Sequence, residues 1–245
     1  MSMYTLLFDG LSKIYVFLRI LDPTPTGAVD DNLFVIKTGA ANFYLYKKDG
    51  VIVAFDTGFG IPVIKRELAV IGVDPGDVSA VFLSHTDFDH TGGVSVFSNA
   101  QVYLSREEER MIARRTPDAD GVRKSVKRTA RKFGVYRNAA INRPYSLLKD
   151  NDEITVGEIA VRAVESPGHT PGSMSYVADG KYLFAGDALR LIGGKVRPLI
   201  RFINMDHAMC LKSIKKLAGL NRIEMILTCH RGYCRDFNGA MEKWK

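Results

Sequence analysis

The chain has 245 residues, of which 46% are hydrophobic and 25% are charged. These proportions are those of an ordinary globular protein, and they exclude a disordered chain. At roughly 150 residues per domain, the length allows one large domain or two small ones. The formal net charge is +7, but the excess is local, because the segment 106–137 carries eleven Lys and Arg against five Asp and Glu.

The longest apolar stretch near the start of the chain, Ile14–Leu21, is interrupted by Arg19. A membrane-spanning helix needs about 20 apolar residues, so we expect none here and no membrane partner. Asp9 precedes the stretch and no small-residue cleavage site follows it, so no signal peptide is predicted. The cysteines are odd in number and have no disulfide spacing, which favours a cytoplasmic location.

The first half of the chain alternates short apolar runs with Gly, Asp and Pro. Strands are predicted at Ile14–Ile20, Asn32–Ile36, Phe43–Tyr46, Val51–Phe55, Ala80–Ser84 and Gln101–Leu104. The sequence Lys47-Lys48-Asp49-Gly50 is typical of a hairpin turn. Helical spacing predicts a helix over Ile61–Ile71, ended by Gly72, and a shorter helix over Thr91–Ser98.

The second half repeats this pattern. A capping box at Ser105-Arg106-Glu107-Glu108 opens one helix, and further helices are predicted over Asp120–Phe133 and Met205–Leu217. Strands are predicted at Ile154–Val156, Ile159–Val164, Ser173–Ala178, Tyr182–Ala185 and Glu224–Thr228. Strands and helices in both halves indicate one α/β domain over residues 1–245, with sheets at its centre and helices outside.

The segment Leu83–Gly93 follows a predicted buried strand and is rich in metal-binding side chains. Its candidate ligands lie within six residues and are His85, Asp87, Asp89 and His90. Imidazole and carboxylate groups bind borderline and hard divalent metals. Gly92-Gly93 allows the backbone to turn closely into a helix. The spacing therefore predicts a metal site in the loop after the strand.

Three more side chains of these kinds lie at predicted strand ends or tight turns, namely His169, Asp187 and His230. Four of the five histidines are in such positions, and the exception, His207, is near the start of a predicted helix. A single loop histidine is usually a surface residue, and an aspartate beside one is often a turn or cap residue. Four histidines and three aspartates in this pattern favour metal ligands.

This ordered set of motifs resembles the metallo-β-lactamase-fold hydrolase superfamily, from Asp56-Thr57-Gly58 to His230. The resemblance implies a four-layer αββα sandwich that binds two divalent metal ions at one edge, between its two sheets. It also implies a basic helical insertion around 105–137, and a role for Asp56 in supporting the ligand loops. The ligand sets it implies are His85, Asp87 and His169 for the first ion, Asp89, His90 and His230 for the second, and Asp187 as the bridge.

Asp87 departs from the usual family motif, His-x-His-x-Asp-His, which has a histidine at this position. Three carboxylates and a bridging hydroxide would balance the charge of two divalent ions, which makes the site a weaker Lewis acid. Such a site favours harder ions, so zinc, iron and manganese all stay open. Flavodiiron proteins, which are relatives in the superfamily, have a glutamate here and bind two irons. If Asp87 misses the metal, the site becomes mononuclear.

The resemblance implies a hydrolase, and we predict that a hydroxide bridging two ions attacks a carbonyl or phosphoryl centre. Asp89 is the predicted catalytic residue, since it would orient the hydroxide and shuttle its proton. The expected bond is a lactone, thioester or phosphodiester. The basic segment 106–137, with Lys195 and Arg197, suggests a small anionic substrate. A solvated helical face or a contact in a homo-oligomer explains the segment at least as well.

Two other functions fit parts of the sequence. A di-iron redox protein that handles oxygen or nitric oxide would explain Asp87. A nucleic-acid-processing hydrolase would use the basic segment, but Phe133 and Tyr136 alone are a poor stacking platform, so nucleic acid is not the expected partner. Cys229 adjoins His230, and strand alternation predicts that its thiol points away from the metals.

Overall fold

Two β-sheets lie face to face at the centre of the computed structural model, which describes residues 21–114 and 141–245. Within these residues, the first sheet has seven strands in sequential order. They are β1 Gly27–Ala28, β2 Leu33–Thr38, β3 Ala41–Lys48, β4 Val51–Phe55, β5 Val78–Phe82, β6 Gln101–Ser105 and β7 Tyr145–Leu148. Neighbours from β1 to β4 are antiparallel, and neighbours from β4 to β7 are parallel. The predicted hairpin turn between β3 and β4 is confirmed, since Asp49 and Gly50 both have positive φ (49° and 81°).

In the described part of the chain, the second sheet has six strands in the order β15-β14-β11-β10-β9-β8. They are β8 Glu153–Val156, β9 Ile159–Glu165, β10 Met174–Ala178, β11 Tyr182–Phe184, β14 Met225–Leu227 and β15 Tyr233–Cys234. Only β11 and β14 pair parallel within this described sheet. A separate antiparallel hairpin follows β11 and consists of β12 Arg190–Ile192 and β13 Lys195–Arg197.

The described residues contain five α-helices. They are α1 Ile61–Val70, α2 Phe88–Thr91, α3 Arg106–Arg114, α4 His207–Ala218 and α5 Phe237–Met241. Ile64 and Leu68 of α1 join the apolar cluster on the outer face of the first sheet. Ile214 and Leu217 of α4 join the cluster on the outer face of the second. This arrangement confirms the predicted four-layer αββα fold.

The third apolar cluster lies between the sheets. Side chains alternate along β5, so that Phe82 faces the second sheet while Val81 faces the helices. Phe55 of the first sheet stacks on Phe184 of the second, with ring centroids 3.6 Å apart. Full burial of such side chains stabilises the fold by about 1.5–3 kcal/mol each. This cluster packs the two sheets against each other.

Several elements differ from the sequence predictions. Strands β1, β7, β12, β13 and β15 and helix α5 are additional to the predicted elements. Helix α2 begins before the helix expected over Thr91–Ser98, which the structure replaces with a short 3-10 turn at Val94–Val96. The predictions for Ile14–Ile20, Asp120–Phe133 and most of the insertion around 105–137 lie outside the described residues. Within residues 21–114 and 141–245, every helix is too short or too polar to cross a bilayer.

Candidate metal centre

Parallel strands deliver the candidate ligands to one edge of each sheet. In the first sheet, β4 and β5 run parallel and lead to Asp56 and to the segment that starts at Ser84. In the second sheet, β11 and β14 run parallel and lead to Asp187 and His230. His169 lies in the loop between β9 and β10. Because the carboxyl ends of parallel strands share an edge, these loops converge where the sheets meet.

The short helix α2 carries two of the candidate ligands. It begins after Asp87, whose backbone is extended, and it contains Asp89 and His90. Thr57 fastens the helix to the loop after β4, since its N–H and its hydroxyl donate to the His90 carbonyl at 2.8 and 2.9 Å. Gly93 permits this approach, because a Cβ there would lie 2.4 Å from the Thr57 carbonyl oxygen. The glycine is therefore required by close packing and not by a special φ.

The structure brings all seven predicted ligand side chains together. We name two sets, the first ligand group (His85, Asp87, His169) and the second ligand group (Asp89, His90, His230). In the first group, Asp87 Oδ2 lies 3.6 Å from His85 Nε2 and 3.1 Å from His169 Nε2. In the second group, Asp89 Oδ2 lies 3.6 Å from His230 Nε2 and 3.8 Å from His90 Nε2. Within each group the ligand atoms all lie within 4.8 Å of one another.

Asp187 lies between the two groups. Its Oδ2 is 3.6 Å from His169 Nε2 in the first group. The same oxygen is 3.3 Å from His230 Nε2 and 3.7 Å from His90 Nε2 in the second group. One carboxylate oxygen therefore contacts both groups, which is the arrangement that a bridging ligand requires.

Asp56 orients two of the histidines from behind. Its Oδ2 accepts a hydrogen bond from Ser84 Oγ at 2.8 Å and lies 2.9 Å from His90 Nδ1. Since the single Ser84 hydroxyl proton is donated to Asp56, His85 Nδ1, which is 2.9 Å from Ser84 Oγ, acts as a donor. Both rings thus use Nδ1 for support and direct Nε2 into the cluster, as histidine ligands of metals commonly do.

The thiol of Cys229 also contacts Asp56. Its Sγ donates to Asp56 Oδ2 at 3.3 Å, so the thiol belongs to the support behind His90. The prediction that it points away from the metals stays a prediction. Burial raises the pKa of the Cys229 thiol, which favours the neutral form. Next to it, His230 Nδ1 lies 2.9 Å from the Ala40 carbonyl, to which it donates.

The carboxylates and imidazoles of the cluster shift one another's pKa values. Burial raises the pKa of the Asp187 carboxyl, but His230 and His90 outweigh burial and hold the pKa well below its usual value. Burial lowers the pKa of His230, but the carboxylates of Asp187 and Asp89 outweigh it and raise the pKa to about 9. Without a metal, protonated imidazole therefore balances the carboxylates, and metal binding must release protons.

The residues present fit a bound metal ion. Three buried atoms of the candidate ligands lack a hydrogen-bond partner in the described part of the chain, namely His85 Nε2, His90 Nε2 and Asp87 Oδ1. Such atoms are costly in a protein interior. Cations among them would satisfy them, and imidazole nitrogen with carboxylate oxygen suits zinc, iron and manganese.

Glu108 and His207 lie outside the two ligand groups. Glu108 lies behind it, fully buried, and its carboxylate accepts a hydrogen bond from the Thr86 amide at 2.9 Å. The capping box signalled the start of α3 but not this contact, because the glutamate turns towards the ligand loops instead of the helix end. His207 belongs to none of the candidate metal groups found in the described residues, and its Nδ1 lies 3.0 Å from Asn204 Nδ2.

An αββα sandwich with clustered histidines and aspartates where its two sheets meet defines the metallo-hydrolase class. The family model of the metallo-beta-lactamase superfamily matches residues 36–230. The chain belongs to this superfamily and is one of its hydrolases.

Relatives and solved structures agree with this assignment. The chain is 27% identical over 176 residues to the probable metallo-hydrolase YqgX of Bacillus subtilis, covering 67% of this chain and 77% of the relative. It is 26% identical over 174 residues to a hydroxyacylglutathione hydrolase of Actinobacillus pleuropneumoniae, covering 69% and 55%. It is 33% identical over 115 residues to the N-acyl homoserine lactonase AttM of Azorhizobium caulinodans, covering 45% and 40%. The chain thus spans about half the length of the last two.

The fold is similar to that of a metallo-beta-lactamase family protein from Thermus thermophilus. The TM-score is 0.66 at 23% identity, and the match covers 88% of this chain and 79% of the other. At this identity the likeness supports the fold alone.

Proposed function

We propose that this chain is a metal-dependent hydrolase that holds two divalent ions, one at each ligand group, with Asp187 between them. The observation that carries the proposal is the position of Asp187 Oδ2, 3.6 Å from His169 Nε2 and 3.3 Å from His230 Nε2. When bound, two such ions polarise the scissile bond and make water acidic enough to ionise near neutral pH.

Asp89 is the proposed catalytic residue. Its side chain is 19% exposed, compared with 6% for Asp87 and 7% for Asp187, so it faces the open side of the cluster. A carboxylate in this position accepts a proton from the attacking water and returns it to the leaving group. Asp87 and Asp187 are more deeply buried, and their proposed role is to bind the ions and to balance their charge.

The proposed substrate contains a thioester or lactone. The support comes from the hydroxyacylglutathione hydrolase and the N-acyl homoserine lactonase, whose names describe those two kinds of bond. A phosphodiester stays in the test because the same chemistry cleaves it.

An anionic substrate is supported by arginines that follow the candidate ligands. Arg190 and Arg197 lie directly opposite each other in the β12–β13 hairpin, which begins three residues after Asp187. Burial lowers the pKa of Arg190, and the nearby Arg231 lowers it further. Within the described residues no carboxylate forms an ion pair with Arg190 or Arg197. A carboxylate or phosphate on the substrate would offset this crowding of like charges.

Because Asp87 adds a third carboxylate to the cluster, a di-iron redox protein is the second candidate function. A third carboxylate in the cluster favours iron or manganese over zinc relative to a histidine at the same position. Iron bound at both positions, with oxygen consumption and no hydrolysis, would favour the redox function. A colourless zinc protein that hydrolyses esters would exclude it.

The test is hydrolysis of a substrate panel by metal-free and metal-restored protein. The panel contains an acylglutathione thioester, an N-acyl homoserine lactone and a phosphodiester. We expect no turnover after chelation and recovery with one ion among Zn, Fe and Mn. Arg190→Gln should raise KM for an anionic substrate several-fold, while Arg66→Gln on the exposed face of α1 should not change it. Turnover by protein verified as metal-free would overturn the proposal.

A further inference from the structure

The carboxylate of Glu108 is fully buried at the amino end of α3. It accepts hydrogen bonds from Thr86 N at 2.9 Å, from Thr86 Oγ1 at 2.6 Å and from Thr170 Oγ1. Within the described residues, no Lys, Arg or His side chain forms an ion pair with it. A buried carboxylate without a cation requires a full set of hydrogen-bond donors, and these contacts supply them.

The donors belong to the two loops of the first ligand group. Thr86 stands between His85 and Asp87, and Thr170 follows His169 directly. These two loops come from different sheets, and the Glu108 carboxylate ties them together by accepting hydrogen bonds from both. The second ligand group is supported elsewhere, by Asp56 behind His90 and by the Ala40 carbonyl behind His230.

The first turn of α3 makes a second contact with the His169 loop. Ser105 Oγ accepts from Glu108 N at 3.1 Å and donates to the Gly172 carbonyl at 2.6 Å. Gly172 has no room for a side chain, because a Cβ there would lie 2.5 Å from Glu108 N. Helix α3 therefore packs against this loop in direct van der Waals contact, and this contact fixes the position of the helix relative to the loop.

From these contacts we infer that Glu108 is a positioning residue that sets the distance between His169 and the pair His85 and Asp87. It thereby controls metal affinity at the first ligand group and not at the second. This inference rests on the proposed function, since it assumes one ion at each group. Residues that hold ligands in place commonly change metal affinity by about 10–100-fold when substituted.

The experiment compares Glu108→Gln with wild-type protein in a competition titration against a chromophoric chelator, using Zn²⁺ and Mn²⁺ as probes. Glutamine keeps the shape of the side chain but places an NH₂ group where a carboxylate oxygen accepts hydrogen bonds from Thr86 or Thr170. We expect one of the two binding steps to weaken about 10–100-fold and the other to stay unchanged. Turnover lost at limiting metal should return at saturating metal. Glu107→Gln, an exposed neighbour on the same helix, is the matched control and should match wild type.

The outcomes separate this inference from the proposed function. If the wild-type chain binds fewer than two ions, the proposed function fails first. If the wild-type chain binds two ions, and Glu108→Gln leaves both binding steps unchanged or weakens both equally, the positioning inference is overturned. Thr170→Val, which removes one of the three donors to Glu108, guards against a folding defect. It should weaken the same single step by a smaller factor, and an unchanged step contradicts the inference.

Discussion

Asp56→Asn tests how the loop after β4 supports the centre. Asparagine keeps the bond that Ser84 N donates to Oδ1 (2.8 Å). It replaces Oδ2, which accepts from Ser84 Oγ and faces His90 Nδ1 at 2.8 and 2.9 Å, with an NH₂ group. Asp56 has φ 62°, and asparagine tolerates this left-handed conformation as well as aspartate does, so the backbone is unchanged. The substitution therefore removes the charge and the two strong hydrogen bonds at Oδ2, together with the weaker bond that the Cys229 thiol donates to the same oxygen at 3.3 Å.

The expected cost follows from those two bonds. Hydrogen bonds to a charged group contribute about 1.5–3 kcal/mol each, so the free energy of unfolding of the metal-free protein should fall by about 3–6 kcal/mol. Urea unfolding followed by circular dichroism measures this change. The control is Asp49→Asn, at an exposed turn position that also has positive φ, and it should change stability by less than about 0.5 kcal/mol. If Asp56→Asn is as stable as the control, the supporting role is refuted.

The core, the surface and the cluster each allow one further test. Phe55→Ala removes a ring stacked on Phe184 and should lower the free energy of unfolding by about 3–5 kcal/mol in denaturant titration; a loss below about 1 kcal/mol would contradict the packing. Burial raises the pKa of Asp179, but Lys48, which donates to it at 2.8 Å, helps hold the pKa below its usual value. A lowered folded pKa contributes stability above the unfolded pKa that is lost as pH falls through the folded pKa. Asp179→Asn should therefore flatten the acid side of the stability profile, and an unchanged profile would disprove this. Because the pKa of His230 is raised to about 9, adding metal at about pH 7 to unbuffered protein should release protons, measurable with an indicator dye; no release would show that the imidazole is already neutral.

The sequence predicted which side chains come together better than it predicted how they are arranged. His85, Asp87, Asp89 and His90 are close in sequence and follow a buried strand, so their meeting is local. The central position of Asp187 could not be predicted from spacing, because it depends on how the two sheets pack through Phe55 and Phe184. The ligand roles of these side chains stay predictions until metal is bound.

Some features carried a signal that the sequence reasoning did not use. The β12–β13 hairpin turns at Gly193-Gly194, both with positive φ (56° and 70°), and a Gly-Gly pair between apolar runs is typical of a tight hairpin. Glu108 was visible as part of a capping box. Its bond to Thr86 was not, since the contact depends on where α3 lies against the ligand loops.

Anomalous X-ray diffraction at metal absorption edges, from crystals grown without added metal, shows directly whether two ions bind. A binuclear centre predicts two peaks, one at each ligand group, both within about 2.5 Å of an Asp187 oxygen, with Asp87 in the coordination sphere of the first. A single peak at the second group, with Asp87 turned away, would contradict the binuclear centre. The absence of any peak from crystals of active protein would contradict metal-dependent hydrolysis altogether.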